Sequence, residues 1–237
     1  GKLIVGDETT AVSDTLHISG SIDTGKTECD IDTNYPIPVV VKSADRATVV
    51  IENAVLNGAY SIAPEAGKTI ENLIFRNCKI NGVWLGYPDK IKNITYDGCT
   101  FNQDGLDFEN FYTANAFPVW YKINGNVGLT KNITFTNNTF NTNRGIHIES
   151  RESDVNLTIE NNTFNMQKSS ASNDVEEKVA AVQLVNTFNG AVNIKNNEMT
   201  SGYQFIIEYN GVAFNGSYVV ENNDIATGII VQGPKDW

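Results

Sequence analysis

The chain has 237 residues, and its 17 basic and 28 acidic side chains give a formal net charge of -11 at pH 7. This charge repels a phosphate backbone and an anionic membrane, and it disfavours a polyanionic glycan unless a metal or a local basic patch intervenes. The length is sufficient for one sizeable core, so we expect one domain. The negative charge argues against a nucleic-acid partner. No apolar run reaches the length of a membrane-spanning helix, so we expect no membrane insertion.

Residues 1–47 contain alternating apolar stretches at residues 16–22 and 38–41, but they do not follow the repeat that begins after them. We interpret them as an N-terminal cap plus one irregular coil, because the open end of a stack of strands invites aggregation unless it is covered. A lone histidine in this part, His17, gives no indication of a ligand site.

From residue 48 onward the chain repeats a pattern in which a pair of Asn residues lies between short alternating stretches, most clearly at residues 132–141 and 156–165. The first position of each pair falls at Asn53, Asn77, Gly98, Asn137, Asn161, Asn196 and Asn222. Successive copies are 24, 21, 39, 24, 35 and 26 residues apart. A basic period of about 21 to 26 residues indicates stacked repeats, each of which buries its apolar face against its neighbours.

Within each repeat, apolar and polar residues alternate with the period of a strand, and this alternation predicts that Phe135 and Phe140 point inward. Asn tolerates the left-handed conformation of a tight corner, and stacked side-chain amides can hydrogen-bond to one another. We therefore expect a buried ladder of Asn side chains that includes Asn137 and Asn161.

This repeat resembles one turn of a right-handed parallel β-helix of the pectate-lyase-like superfamily, over roughly residues 48–232. The resemblance implies an all-β fold, a single right-handed parallel β-helix of about eight coils with an internal Asn ladder. Residues 1–47 would be the N-terminal cap and irregular first coil, and residues 48–237 one continuous domain. Lyases, hydrolases, epimerases, adhesins and phage fibres share this fold, so the chemistry does not follow from it.

Two of the three cysteines, Cys78 and Cys99, occupy the second Asn position on consecutive coils. Stacking would set their Cα atoms about 4.8 Å apart, a spacing that permits a disulfide. The alternative is a pair of thiols that replaces Asn inside the ladder. Cys29 has no visible mate.

Several Asn-x-Ser/Thr triplets, including those that begin at Asn132, Asn137 and Asn161, recur with the period of the coils. We interpret them as part of the corners and not as glycosylation sites.

A second alternating strand, which we call the face strand, follows each corner. The small residues that open these strands are Ala59, Gly82, Gly105, Gly145, Ala181, Gly202 and Gly228. The residues next to each opening residue alternate inward and outward, which predicts two outward rows. One row is Trp84, Asp107, His147 and Gln183, and the other is Gly86, Glu109, Glu149 and Val185.

Two long intervals between repeats indicate insertions. The first, at about residues 110–129 and directly after a face strand, is rich in aromatic side chains such as Trp120 and Tyr121. The second, at about residues 166–179 and before a face strand, is polar. We interpret the first as an ordered aromatic wall and the second as a mobile flap beside the same sheet.

The outward rows carry the candidate site. They bring His147 beside an Asp and two Glu beside each other, where repulsion should raise the pKa of one carboxyl, an arrangement that suits acid and base chemistry. The candidate catalytic residues are Asp107, Glu109, His147 and Glu149, and the candidate substrate-binding residues are Trp84, Gln183, Trp120, Tyr121 and Arg151. The resemblance also implies a site on this outer side, although the paired Asp and Gly-His-Gly motifs of polygalacturonases are absent.

The leading hypothesis is a secreted or cell-surface protein of bacterial type that binds a carbohydrate or cell-surface glycan on the outer side of the face strands. Aromatic rings would stack on sugar rings, and the polar group would bind hydroxyls. A glycan-cleaving enzyme, either a polysaccharide lyase or a glycoside hydrolase, is the first alternative, and a non-catalytic adhesin or structural module is the second. No cofactor or metal site is predicted, and Ca2+ has no clear site.

Overall fold

The computed structural model describes residues 3–6, 15–23, 39–86, 88–102, 118–125, 128–142, 144–166, 180–200, 204–226 and 230–232. These residues form strands and turns. Within these ranges there is no helix long and apolar enough to cross a membrane.

The strands follow one another at the spacing of the repeat. In chain order they are β1 (Leu3–Val5), β2 (Thr15–Asp23), β3 (Val39–Val41), β4 (Ala47–Tyr60), β5 (Ile62–Pro64), β6 (Ile70–Arg76), β7 (Lys79–Gly86), β8 (Ile91–Asp97), β9 (Thr100–Asn102), β10 (Val119–Asn124), β11 (Asn132–Thr136), β12 (Thr139–Asn141), β13 (Ile146–Ser153), β14 (Asn156–Glu160), β15 (Thr163–Phe164), β16 (Ala180–Phe188), β17 (Val192–Lys195), β18 (Glu198–Met199), β19 (Gln204–Phe214), β20 (Tyr218–Glu221), β21 (Asp224–Ile225) and β22 (Ile230–Gln232).

Strands one repeat apart pair in parallel and form three columns. The pre-corner column contains β6, β8, β11, β14, β17 and β20. The post-corner column contains the first half of β7, then β9, β12, β15, β18 and β21. The face column contains the end of β7, then β10, β13, β16, β19 and β22.

The N-terminal strands continue this pattern. β2 pairs in parallel with β4, and β4 pairs with both β6 and β7. β1, β3 and β5 form a separate three-stranded parallel sheet. The fold is therefore all-β with long parallel sheets, which confirms the predicted class and is compatible with a parallel β-helix.

The corners lie where the paired Asn pattern predicts them. All seven first positions, including Gly98, have φ between 51° and 65°, the left-handed region that Asn and Gly adopt most readily. At Gly98 a Cβ atom would lie 2.7 Å from Oδ1 of Asn77. That oxygen ends a flexible side chain and could move aside, so the positive φ is what makes Gly suitable at this corner.

A buried Asn ladder joins the last four corners, as predicted, but it consists of the second residue of each pair and not the first. The Nδ2 groups of Asn138, Asn162 and Asn197 donate to Oδ1 one repeat later, at 3.0, 3.0 and 2.9 Å, and the last acceptor is Asn223. The backbone N–H groups of the same three residues donate to the same oxygens. Each Nδ2 also donates to a backbone carbonyl one repeat earlier.

The prediction that Asn137 and Asn161 belong to this ladder is wrong, because both side chains are exposed. The positive φ turns the chain at the first position, so that its side chain faces outward and the next one faces inward. The Asn-x-Ser/Thr triplets that begin at Asn137 and Asn161 are periodic because a corner recurs in every repeat, and the first Asn of each of these triplets is exposed. Nδ2 of Asn137 donates to Oδ1 of Asp97 at 2.8 Å.

Two further Asn ladders run along the outside of the stack. In both, each Nδ2 donates to the Oδ1 of the previous member, at 2.7 to 3.1 Å. One consists of Asn57, Asn81, Asn102, Asn141 and Asn165, and the other of Asn72, Asn93, Asn132 and Asn156. Identical side chains at the same position of successive repeats thus satisfy one another.

Aromatic rings fill the core in stacks of the same kind. The ring of Phe140 lies 4.4 Å from that of Phe101 and 4.8 Å from that of Phe164, measured between centroids. Phe135 and Phe140 are fully buried, as predicted. The core also holds a polar pair of aromatic residues, because the hydroxyls of Tyr96 and Tyr121 share a hydrogen bond at 2.7 Å.

Candidate functional site

The face column differs from the prediction at one repeat. β10 lies between β7 and β13, where Val119 pairs with Trp84 on one side and with Ile146 on the other. The face strand of this repeat is therefore Val119–Asn124, and the predicted strand at residues 105–109 lies outside the described residues. The extra chain precedes this face strand instead of following it.

The second insertion lies at its predicted position in the chain, and its interpretation as a mobile flap stays a prediction. Residues 167–179 separate β15 from β16, before a face strand, and they also lie outside the described residues. Both long connections therefore join the post-corner column to the face column, and the two strands that follow them, β10 and β16, flank β13.

Two outward rows cross the face column. Trp120, His147, Gln183 and Ile207 pair in one row, and Lys122, Glu149, Val185 and Tyr209 pair in the next. His147 and Gln183 thus share a row, as expected, but Trp120 is the neighbour of His147 where Asp107 was predicted. Asp107 and Glu109 lie outside the described residues.

Two predicted binding residues do not align with His147. The backbone of Trp84 pairs with Val119, which is in the inward row of Ile146. Tyr121 lies in the core with its hydroxyl against Tyr96, and burial raises the pKa of its phenol. Tyr121 is therefore a core residue, and we leave it out of the outer site.

His147 points outward from its sheet and is nevertheless buried, with 0% of its surface exposed. Its ring lies 4.8 Å from the Trp120 ring, and its Nδ1 lies 3.2 Å from Oε1 of Gln183. Because an amide oxygen only accepts, Nδ1 carries the proton in this pair. The expectation of a solvent-facing imidazole is wrong. Alternation along a strand predicts the face to which a side chain points, but it does not predict whether other residues bury that face.

Burial is the largest cause that lowers the pKa of His147, the Gln183 hydrogen bond acts in the opposite direction, and the positive charges of Lys122 and Arg144 add to the lowering, with a net pKa of about 3. His147 is therefore a neutral imidazole at physiological pH. A group of this kind can donate or accept a hydrogen bond, but it is a poor proton acceptor in catalysis.

Charged side chains lie beside this buried row. Lys122 Nζ lies 3.8 Å from Oε2 of Glu149, and Arg151 Nε donates to Oε1 of the same carboxylate at 2.9 Å. Lys122 Nζ also lies 5.4 Å from the centroid of the Trp120 ring. The exposed fraction is 14% for Lys122 and Glu149 and 47% for Arg151, so Arg151 is the solvent-facing end of the group.

Beyond Glu149 the outer side of the sheet becomes apolar. Val185, Ile207 and Tyr209 form a small buried cluster with Ala180. Burial raises the pKa of the Tyr209 phenol to about 12, against the opposing positive charge of Arg144.

The sequence did not single out Lys122, Arg144 or Tyr209. Lys122 could have been found from the alternation that starts at Val119, because it lies two residues after Trp120 on the same face. Arg144, a buried residue next to the start of β13, left no such signal.

The chemistry of the outer site is that of polar recognition. A carboxylate between two cations offers an acceptor and several donors. The Trp120 ring beside them is only 5% exposed, so the predicted aromatic stacking surface is covered by its neighbours at this position. Among the residues that the structure describes, no group of three or more His, Cys, Asp or Glu side chains could hold a metal ion.

Comparison of the chain with models of protein families, with curated proteins and with solved structures gave no match.

Proposed function

We propose that this protein is a single right-handed parallel β-helix of about eight coils, of the pectate-lyase-like type, that binds a carbohydrate on the outer side of its face column. The observation that carries the proposal is the Lys122–Glu149–Arg151 group beside the Trp120 ring. We further propose that the protein is secreted or displayed at a bacterial cell surface, where glycans are the abundant partners.

Sugars present hydroxyls around the edge of a ring and C–H groups on its faces. Glu149 accepts from hydroxyls, and Lys122 and Arg151 donate to them. The partial burial of Glu149 and Lys122 strengthens such hydrogen bonds, because they are screened less than at an open surface. The buried Trp120 ring lies under Lys122 Nζ and supports the charged group without facing the ligand itself.

His147 and Gln183 support this group from behind. Both are buried and uncharged, and their mutual hydrogen bond and the tilted contact with Trp120 fix the indole ring in one position. A fixed ring holds Lys122 in place above it, so that the charged group loses little conformational entropy on binding. We therefore assign His147 a positioning role and no acid or base role.

The test is a glycan array on the intact protein, followed by titration calorimetry with the glycans that bind. Arg151→Ala and Glu149→Gln should each weaken binding by about tenfold or more, as expected for central polar contacts. Lys131→Ala is the matched control. Lys131 is exposed and does not belong to this group, and its Nζ lies 3.9 Å from a carboxylate oxygen of Asp154. Equal binding by all three variants would place the glycan elsewhere and overturn the assignment.

A non-catalytic structural or adhesive module is the second candidate. The burial of Trp120, His147 and Gln183 favours it, because a row that is closed to solvent stabilises the stack without a ligand. An array with no bound glycan, together with unchanged stability of Arg151→Ala, would favour this candidate. Assays for reducing sugars and unsaturated products, run on every glycan that binds, separate both candidates from a glycan-cleaving enzyme.

A further inference from the structure

The buried ladder changes its chemistry at two consecutive repeats. Cys78 and Cys99 occupy the ladder position there, both buried and both with free thiols. The backbone N–H of Cys99 still donates to Oδ1 of Asn138, at 2.8 Å, so the amide ladder reaches Cys99 and ends there.

The thiol of Cys78 partly replaces an amide. Its Sγ donates to the carbonyl oxygen of Ile51 at 3.2 Å, which is the contact that Nδ2 of Asn162 makes with Phe135 one repeat earlier. Cysteine has no second polar atom, however. The side-chain hydrogen bond that links Asn138 to Asn162 therefore has no amide equivalent between Cys78 and Cys99.

We propose that Cys78 and Cys99 are an oxidisable pair whose disulfide takes the place of the missing ladder bond and joins the two repeats covalently. The flanking strands fix the two residues opposite each other, since Arg76 pairs with Asp97 and Lys79 with Thr100. Parallel neighbours at this spacing have Cα atoms about 4.8 Å apart, inside the range of about 4.4 to 6.8 Å that a disulfide spans.

The chemistry needs an oxidant, and a low-molecular-weight disulfide such as oxidised glutathione is sufficient. The Cys78 thiolate attacks one sulfur of that disulfide, forms a mixed disulfide and releases one thiolate. The Cys99 sulfur, after losing its proton to solvent, attacks the mixed disulfide and releases the second thiol. Two thiols are oxidised and one disulfide is reduced, so the step balances.

The pair is prepared for this reaction. The Cys99 thiol donates to the carbonyl oxygen of Asp97 at 3.7 Å, and the nearness of the two sulfurs lowers the pKa of Cys78 and raises the pKa of Cys99. Each cysteine directly follows a corner residue, and the corner residue Asn77 is exposed. Local opening of the corner is therefore enough to admit a small oxidant.

The experiment uses the intact protein, incubated with oxidised glutathione, then denatured, alkylated and digested with trypsin. Because Lys79, Lys90 and Lys92 separate the two cysteines, a Cys78–Cys99 disulfide yields two linked peptides in the mass spectrum. We expect this linked species after oxidation and its loss after dithiothreitol. The urea midpoint of the oxidised protein should also be higher than that of the reduced protein.

The matched control is the double variant Cys78→Asn with Cys99→Asn, which continues the amide ladder through both repeats. Its urea midpoint should not respond to the oxidant. Full alkylation of Cys78 and Cys99 after oxidation would overturn the proposal, and so would linkage of either residue to Cys29 or to glutathione only. The parent protein alone gives this answer, so the result does not depend on whether the variant folds or on the proposed glycan site.

Discussion

The corner ladder and the outer side of the face column are both stacks of polar side chains, and they differ in what each repeat contributes. In the ladder the same residue recurs, and Asn138, Asn162 and Asn197 make the same hydrogen bonds. On the face column each repeat contributes a different residue, as in the row of Trp120, His147 and Gln183. A stack is stabilised when the same residue recurs at the same position of each repeat. A row in which every residue differs is not explained by stability in this way, so it is the better candidate for a functional site.

The two regions also differ in regularity. The corners keep one backbone conformation through seven repeats. The face column has shifts in pairing between Arg151 and Ser153 and between Val185 and Thr187, and both long connections lead into it. A solenoid can change one side of its repeat freely when the other sides hold the stack together.

The largest effect should come from breaking a core stack of identical residues. Phe140→Ala should reduce the free energy of unfolding by about 3 to 5 kcal/mol, because it leaves a cavity between the rings of Phe101 and Phe164. Urea denaturation followed by circular dichroism measures the change. Thr139→Ala, at the half-buried neighbouring position, is the control, and a loss for Phe140→Ala below about 1 kcal/mol would contradict the packing.

The next effect tests the ladder itself. Asn162→Leu removes four hydrogen bonds and leaves buried polar groups of Asn138 and Phe135 without this partner, so it should cost about 3 kcal/mol. Asn161→Gly, one residue earlier and exposed at φ +57°, should be close to neutral because Gly adopts this conformation without strain. Equal melting temperatures for the two variants would remove the distinction between the two Asn positions.

The smallest of the three effects concerns the face column and depends on pH. The pKa of His147 is lowered in the folded protein, to about 3, whereas an unfolded His titrates near 6.5. The unfolded state therefore takes up a proton as the pH falls below about 6.5 and the folded state does not. The contribution of neutral His147 to the free energy of unfolding is therefore fully present above about pH 6.5 and decreases by about 1.4 kcal/mol per pH unit below it. The expected loss between pH 8 and pH 5 is about 2 kcal/mol.

Urea denaturation at the two pH values measures this loss, and His147→Gln should remove most of it. His17→Gln is the control, because His17 is exposed and its partner Glu52 is also at the surface. If the parent protein were equally stable at pH 8 and pH 5, His147 would not be a buried neutral group.

The corners could be predicted because their backbone conformation restricts which residue types can occupy them. Only a few residue types accept a positive φ, so Asn or Gly must recur at each corner. Which Asn of the pair faces inward could not be read in the same way. Both positions hold the same residue in most repeats, and a left-handed residue interrupts the alternation on which the assignment depends.

The face column was harder to predict for two reasons. Residues 105–109 and Val119–Asn124 both alternate, and only the pairing of β10 with β7 and β13 decides which of them continues the column. The direction of His147 followed from alternation, but its burial depends on contacts distant in sequence. The charged group of Lys122, Glu149 and Arg151 depends on the same pairing, and so it emerged only with the structure.

The hydrogen bond between Tyr96 and Tyr121 has a consequence for how the chain finds its fold. Stacks of like residues, such as Phe101 on Phe140 on Phe164, would pack almost as well if one repeat met the wrong neighbour. A slip of that kind would separate the two phenol hydroxyls and put each of them against an apolar ring, at a cost of about 1 to 3 kcal/mol. The pair thus discriminates against misregistered assembly, in the way that a single buried polar residue fixes the register of a coiled coil.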